Sequence, residues 1–222
     1  MIVYVESNFL LELARQQEQA ASAEEILRLA EHGGVDLAFP TFAACEPFST
    51  LTYYSAQRNR FVNQELLPQL RDLSRLEPQR GHVPLLQQLQ HTLLTLGRSE
   101  MERLEATVAR LMRAGRSIPL TAPVFEEARF SRSSLGLSVQ DAIVYALVLT
   151  DLRRRPKKTP KCFLSTNLND FGDPAIKGEL ARFHCEFKAK FDAGLAYIWS
   201  RTGLTRRRGP QAARGGRGRR GK

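Results

Sequence analysis

Ile2-Val-Tyr-Val5 is an apolar run, three of its four residues β-branched, and it stops at once on Glu6-Ser7-Asn8. That is the composition of a short strand covered on both faces, as strands are in a parallel sheet between helices. Phe9, Leu10 and Leu13, with Leu11 and Ala14 alongside, then recur at helical spacing. The opening reads as strand, polar turn, helix. A carboxylate at the C-terminal end of the first strand of an α/β sheet stands where such sheets open a ligand crevice. A plainer reading competes: Glu6 is a solvated strand end, with Ser7 or Asn8 capping the helix.

The alternation continues downstream. Residues 9–32 read as one or two helices that restart near Ser22, where Ser22-Ala-Glu-Glu25 has the form of a capping box, and Gly33-Gly34 ends them. Residues 35–39 form a second strand. Pro40 opens a helix through about Gln57, with Phe42, Cys45, Phe48 and Leu51 at helical spacing and Glu46 in its first turns. Residues 60–114 are long, polar and helical. Leu66, Leu67, Leu70, Leu73 and Leu76 make one stripe there; Leu85, Leu86, Leu89, Leu93, Leu94 and Leu96 make a second; Leu104, Val108, Leu111 and Met112 make a third. All three are expected to face a core.

Residues 117–120 read as an extended connector, and 123–131 as a short helix. Residues 137–149 predict a buried helix with Ser138 as N-cap and Asp141 at the third position. Residues 162–165 are a strand, and Thr166-Asn-Leu-Asn-Asp170 is its polar exit. A helix over 174–181, a strand over 184–187 and a helix over 192–200 follow. Strands alternating with helices predict an α/β fold, a mainly parallel central sheet covered on both faces. The domain is expected over 1–200, with a helical insertion at about 60–115.

Three cysteines, Cys45, Cys162 and Cys185, are far apart with no metal-like spacing, which suits reduced thiols in a reducing compartment. No stretch approaches the ~20 apolar residues that span a bilayer. The N-terminus has no basic region ahead of its apolar run, so a cytoplasmic, membrane-free protein is expected. The net charge is +10, and eight of those ten charges lie in 205–222, which leaves the rest of the chain at +2. The tail, 201–222, is rich in Arg and Gly, cannot bury enough apolar surface to fold, and suits contact with RNA phosphates and bases. Arg153-Arg-Arg-Pro-Lys-Lys158 is a second basic run.

Four acids fall at one edge of the expected sheet: Glu6, Glu46, Asp141 and Asp170, the last with Asn167 nearby. Each has a plain structural role available, such as a helix N-terminus or a turn. Gathered together they repel and raise one another's pKa, and a divalent cation relieves this. Oxygen ligands suit Mg²⁺ or Mn²⁺, and the chemistry that best uses such a site is phosphodiester hydrolysis.

Four segments, in order, resemble the PIN domain family. Val3-Tyr-Val-Glu-Ser-Asn-Phe-Leu-Leu11 resembles its opening strand and turn, and Phe42-Ala-Ala-Cys-Glu46 its helical Glu. Asp141-Ala-Ile-Val-Tyr-Ala146 resembles its Asp-Ala helix, and Phe163-Leu-Ser-Thr-Asn-Leu-Asn-Asp-Phe171 its strand ending in Thr-x-Asp-x-Asp-Phe. The resemblance implies a three-layer α/β/α nuclease that cleaves single-stranded RNA with Mg²⁺ or Mn²⁺, in a family with many toxins of toxin–antitoxin pairs. It carries over Glu6, Glu46, Asp141 and Asp170 as the catalytic and metal-holding acids and Asn167 as an oxygen ligand. Ser7, Asn8 and Thr166 are carried over as substrate-contacting residues. Two positions depart from the family: Glu6 stands for the usual first Asp, and Asn167 for the Asp after the Thr.

Two other readings stay open. The fold could hold RNA without cleaving it, or 60–114 could serve as a helical interaction scaffold, which an exposed apolar stripe would favour. Substrate contacts, a protein antitoxin or a homodimer contact are all roles open to that insertion.

Overall fold

The computed structural model describes residues 1–204. The expected basic tail from residue 205 onward lies outside the described residues. Strands β1 (Ile2–Val5), β2 (Asp36–Pro40), β3 (Arg116–Ile118), β4 (Lys161–Leu164) and β5 (Cys185–Lys188) form one sheet in the order β3-β2-β1-β4-β5. Every pairing is parallel. The helices, in chain order, are α1 (Ser7–Arg15), α2 (Ala20–Glu31), α3 (Thr41–Phe61), α4 (Leu67–Leu73), α5 (Val83–Ala114), α6 (Ala122–Leu135), α7 (Val139–Arg154), α8 (Leu168–Phe171), α9 (Pro174–Ala181) and α10 (Phe191–Thr202).

The apolar opening becomes the central strand, and its alternation sorts the two cores. Val3 and Val5, with Leu37, Phe39, Cys162 and Leu164, face α1, α2, α10 and the C-terminal half of α5. Ile2 and Tyr4, with Ala38 and Phe163, face α6, α7 and α9. The result is a sheet between two helical layers, with β1 paired on both sides. Among the described residues no single helix is long and apolar enough to cross a membrane.

Several local expectations change. The first helical stretch breaks at Gln16, which adopts φ 52°, and α2 starts at Ala20 instead of at the expected capping box. Glu12 fixes that turn by accepting the Gln19 amide, while Gln19 Oε1 accepts the Phe191 amide and ties the turn to α10. The expected connector at 117–120 begins inside a fifth strand, β3, whose Ser117 pairs with Phe39 at the sheet edge.

The long helical region departs most. The helix opened by Pro40 runs on to Phe61, then through a π turn (Val62–Leu66) into α4. The chain returns through a 3₁₀ turn (Glu77–His82) into α5, one helix of 32 residues. Gly97 does not break α5: a Cβ there would sit 2.5 Å from Ser55 Oγ, so glycine lets α3 and α5 approach closely. Leu104 and Leu111 enter the main core, and Val62, Leu66 and Leu70 make a small core of their own with Leu86 and Leu93. The second stripe does not face a core along its length: Leu85, Leu89 and Leu94 are 67%, 46% and 42% exposed.

Several buried charges sit in paired groups, in which Arg58 Nε and Arg116 Nε are left without a hydrogen-bond partner. Glu100 of α5 pairs with Arg15 of α1 and Arg58 of α3. Asp151 accepts the Tyr4 hydroxyl at 2.8 Å and pairs with Arg116 and Arg155, each at 2.9 Å. The fully buried Lys161 ammonium donates to the carbonyls of Pro156, Thr159 and Phe183 at 2.8, 2.8 and 3.1 Å. These groups hold the start of β4 and the edge of β3 in place.

Candidate active site

Because all strands are parallel, the turns leaving β1, β2 and β4 share one edge of the sheet. Glu6 leaves β1 there and is itself the N-cap of α1, so the cap is neither Ser7 nor Asn8. Its Oε2 accepts the Asn8 amide at 2.9 Å and the Ser7 hydroxyl at 2.8 Å. Its Oε1 is buried with no hydrogen-bond partner. Burial pushes the Glu6 carboxyl above its ordinary range, while the Asn8 amide and the Ser7 and Ser165 hydroxyls pull it back. A buried, unpaired carboxylate oxygen costs on the order of 1–3 kcal/mol or more. Such an atom calls for an explanation.

Glu46, half-buried near the start of α3, is raised by burial; the Ser7 hydroxyl lowers it and the Asp141 charge raises it further. Asp141 sits in the first turn of α7, where its amide donates to Ser138 Oγ at 3.1 Å and the Ser138 hydroxyl donates back to Oδ2. This is the cap expected from the sequence.

Asn167 follows β4 and caps α8. Its side-chain NH₂ donates to Asp141 Oδ1 at 3.1 Å and to Asp170 Oδ2 at 2.7 Å, while its carbonyl oxygen accepts the Asp170 amide at 3.4 Å. It was expected to offer an oxygen to a cation; in this arrangement it offers a donor that bridges two carboxylates. Its own backbone amide donates to Ser165 Oγ at 3.0 Å, which fixes the turn.

Glu6, Ser7, Asn8, Glu46, Asp141 and Asn167 line one cleft of about 290 Å³. Asp170 is not among its lining residues and reaches it only through Asn167. Thr166 is exposed in the turn after β4, outside the lining. Thr50, Tyr54, Ser138 and Gln140 also line the cleft. Thr50 and Tyr54 follow Glu46 at intervals of four residues and so share its face of α3, a signal that was readable in the sequence. The Arg15 guanidinium lies 4.9 Å over the Tyr54 ring.

Among the described residues, no three His, Cys, Asp or Glu side chains are close enough to hold an ion between them. The fit to a cation rests instead on the donors themselves: oxygen ligands only, no Lys, Arg or His in the lining, and one buried oxygen without a partner. A hard cation that keeps several waters suits such a set. Comparison of the chain with protein-family models, with curated proteins and with solved structures finds no match.

Proposed function

We propose that this chain is a metal-dependent endoribonuclease of PIN-like fold, which hydrolyses phosphodiester bonds of single-stranded RNA in the acidic cleft. The observation that carries the reading is the unpartnered Oε1 of Glu6, buried beside Glu46 and Asp141 at the C-terminal edge of a parallel sheet. The resemblance of four segments, all four of which lie along this edge, supports the PIN-like assignment.

Oxygens of Glu6, Glu46 and Asp141 would hold Mg²⁺ or Mn²⁺ together with the waters such a cation keeps, since the three carboxylates do not by themselves close around one point. When bound, the cation supplies charge neutralisation for the phosphate and a water of lowered pKa. The chain's own residues do the positioning. The Ser7 hydroxyl and the Asn8 amide fix one Glu6 oxygen and leave the other free to bind. Ser138 and Asn167 take one oxygen each of Asp141 and set its orientation. Asn167 also holds Asp170 beside Asp141 without a like-charge clash. Tyr54, on the cleft wall, offers an aromatic face for a base.

The test is incubation of a mixed-sequence single-stranded RNA with Mn²⁺, Mg²⁺ or EDTA, beside the Asp141→Asn protein. Cleavage is expected with either ion, and none in EDTA or with the variant. Binding without cleavage under every metal would leave the RNA-holding module in place of the enzyme.

A second reading has its own support. The exposed stripe of Leu85, Leu89 and Leu94 on α5 suits contact with a protein, an antitoxin or a second copy of the chain, away from the cleft. Light scattering of the wild type and of a Leu85→Glu, Leu89→Glu protein tests the self-association form of it.

A further inference from the structure

No Lys or Arg lines the acidic cleft, so charge that holds a polyanion has to come from beside it. Two helices leave the cleft together. On α1, Asn8 and Leu11 line it, and Arg15 follows one turn on. On α3, Glu46, Thr50 and Tyr54 line it at intervals of four residues. Arg15 lies over the Tyr54 ring, so the two rows run side by side in the same direction. At about 1.5 Å per residue, Tyr54 stands ~12 Å along α3 from Glu46.

The far end of this row differs in character from the acids. The Arg15 guanidinium is partly exposed and sits 4.9 Å from the centre of the Tyr54 ring. Its Nε is paired with Glu100 at 3.4 Å, and among the described residues its two terminal nitrogens donate to no protein acceptor. With Arg15 over it, Tyr54 is still 36% exposed, and the exposed Tyr53 lies 6.0 Å away between ring centres. Glu100 is buried on α5, where it also takes Arg58. The helical insertion thus holds Arg15 against Tyr54. A planar guanidinium with free NH₂ groups matches a phosphate, and an open aromatic ring matches a base.

We propose that this end of the cleft is a nucleotide subsite: Tyr54 stacks a base, the terminal nitrogens of Arg15 hold a phosphate of the same strand, and Glu100 is the positioning residue that orients Arg15. The proposal rests on RNA being what the acidic cleft binds. The acids then act on a bond further along the strand, toward Glu46. Holding the strand at one end and the cation at the other keeps lysine and arginine away from the metal-binding carboxylates. Stacking does not depend on base identity, so the subsite accepts any base.

The experiment is fluorescence anisotropy of the full chain with a labelled single-stranded RNA of about 5 nucleotides, and with the same ribose-phosphate strand lacking its bases, across a salt series in EDTA, where metal-dependent cleavage is silent. Tyr54→Ala should weaken binding of the intact RNA at least about fivefold, the low end for one stacked base, and leave the base-free strand unaffected. Tyr54→Phe keeps the ring and should bind as the wild type does. Arg15→Gln should weaken binding of both strands and lower the log–log salt slope by about 0.7, one phosphate contact. Glu100→Gln should lower the slope in the wild type and add nothing to Arg15→Gln, which loss of packing alone would not produce. Tyr54→Ala and Arg15→Gln change partly exposed side chains and decide the matter even where Glu100→Gln fails to fold. Intact-RNA binding that Tyr54→Ala leaves unchanged, or that Tyr54→Phe weakens equally, would overturn the subsite. So would an unchanged salt slope in Arg15→Gln. If the variants lose binding as expected while the wild type cleaves with neither Mn²⁺ nor Mg²⁺, the subsite stands and the nuclease reading falls. If the wild type cleaves and the variants bind as tightly as it does, the subsite alone falls.

Discussion

The side-chain amide of Asn167 donates to Asp141 Oδ1 at 3.1 Å. A second bond from the same nitrogen reaches Asp170. An NH₂ between two carboxylates relieves the repulsion that an aspartate at this position would add. The acidic edge is thus partly neutralised by the chain itself, and what remains uncompensated is the Oε1 of Glu6.

Restoring the charge should therefore trade stability for metal affinity. Asn167→Asp is expected to lose about 1–3 kcal/mol of metal-free stability, the cost of a broken bridge and an added like charge. It should recover stability as Mn²⁺ is added, because ligand binding to the folded state raises it. Thermal unfolding in EDTA and across an Mn²⁺ series checks both halves.

Glu6 predicts a pH dependence of definite sign. Its folded pKa lies above the unfolded value, so its favourable contribution is full below the unfolded value and is lost as pH rises through the folded one. Glu6→Gln keeps an acceptor for the Asn8 amide and removes the buried charge. In EDTA the variant should melt higher than the wild type at pH 7, with the gap closing toward pH 4. A variant that melts lower at pH 7 would show that the buried charge is compensated.

Glu100 pins the long helix α5 to both α1 and α3. Glu100→Ala leaves Arg15 and Arg58 facing a site without its acid, and the expected loss is about 2–4 kcal/mol, discounted for the partial exposure of Arg15. Because Arg15 also covers Tyr54, the same variant should weaken RNA binding at the cleft. Urea unfolding and RNA titration in EDTA measure the two effects separately.

The leucine stripes predict a contrast. Leu104→Ala opens the main core and should cost about 2–5 kcal/mol. Leu89→Glu, on an exposed face, should change monomer stability by less than about 0.5 kcal/mol. Equal losses in urea unfolding would mean that the second stripe is covered in solution.

What was legible in the sequence was local. The apolar run of β1 and the Ser138 cap with Asp141 three residues on are patterns set by neighbours in the chain, and both stand as expected. Edge strand β3 was not legible: three residues, one of them the arginine held by Asp151, become a strand only by pairing with β2. Periodicity located the leucine stripes but carried no information about what covers each. The buried charges Glu100 and Asp151 escaped notice because most of their partners lie far away in sequence, and Lys161 because its partners are backbone carbonyls, which no side-chain pattern marks. At the candidate site the acids could be named, whereas the turning of Asn167 into a donor and the absence of Asp170 from the cleft lining depend on the geometry of one short turn.

The central claim is that the acidic cleft, and the free oxygen of Glu6 above all, is built to bind a divalent cation. Calorimetric titration of the metal-free protein with Mn²⁺, beside Glu6→Gln and Asp141→Asn, tests it without any substrate. Binding to the wild type that weakens at least about tenfold in each variant, about 1.4 kcal/mol, is the expected result. Wild-type binding that survives both substitutions, or no binding at millimolar Mn²⁺, would contradict the account.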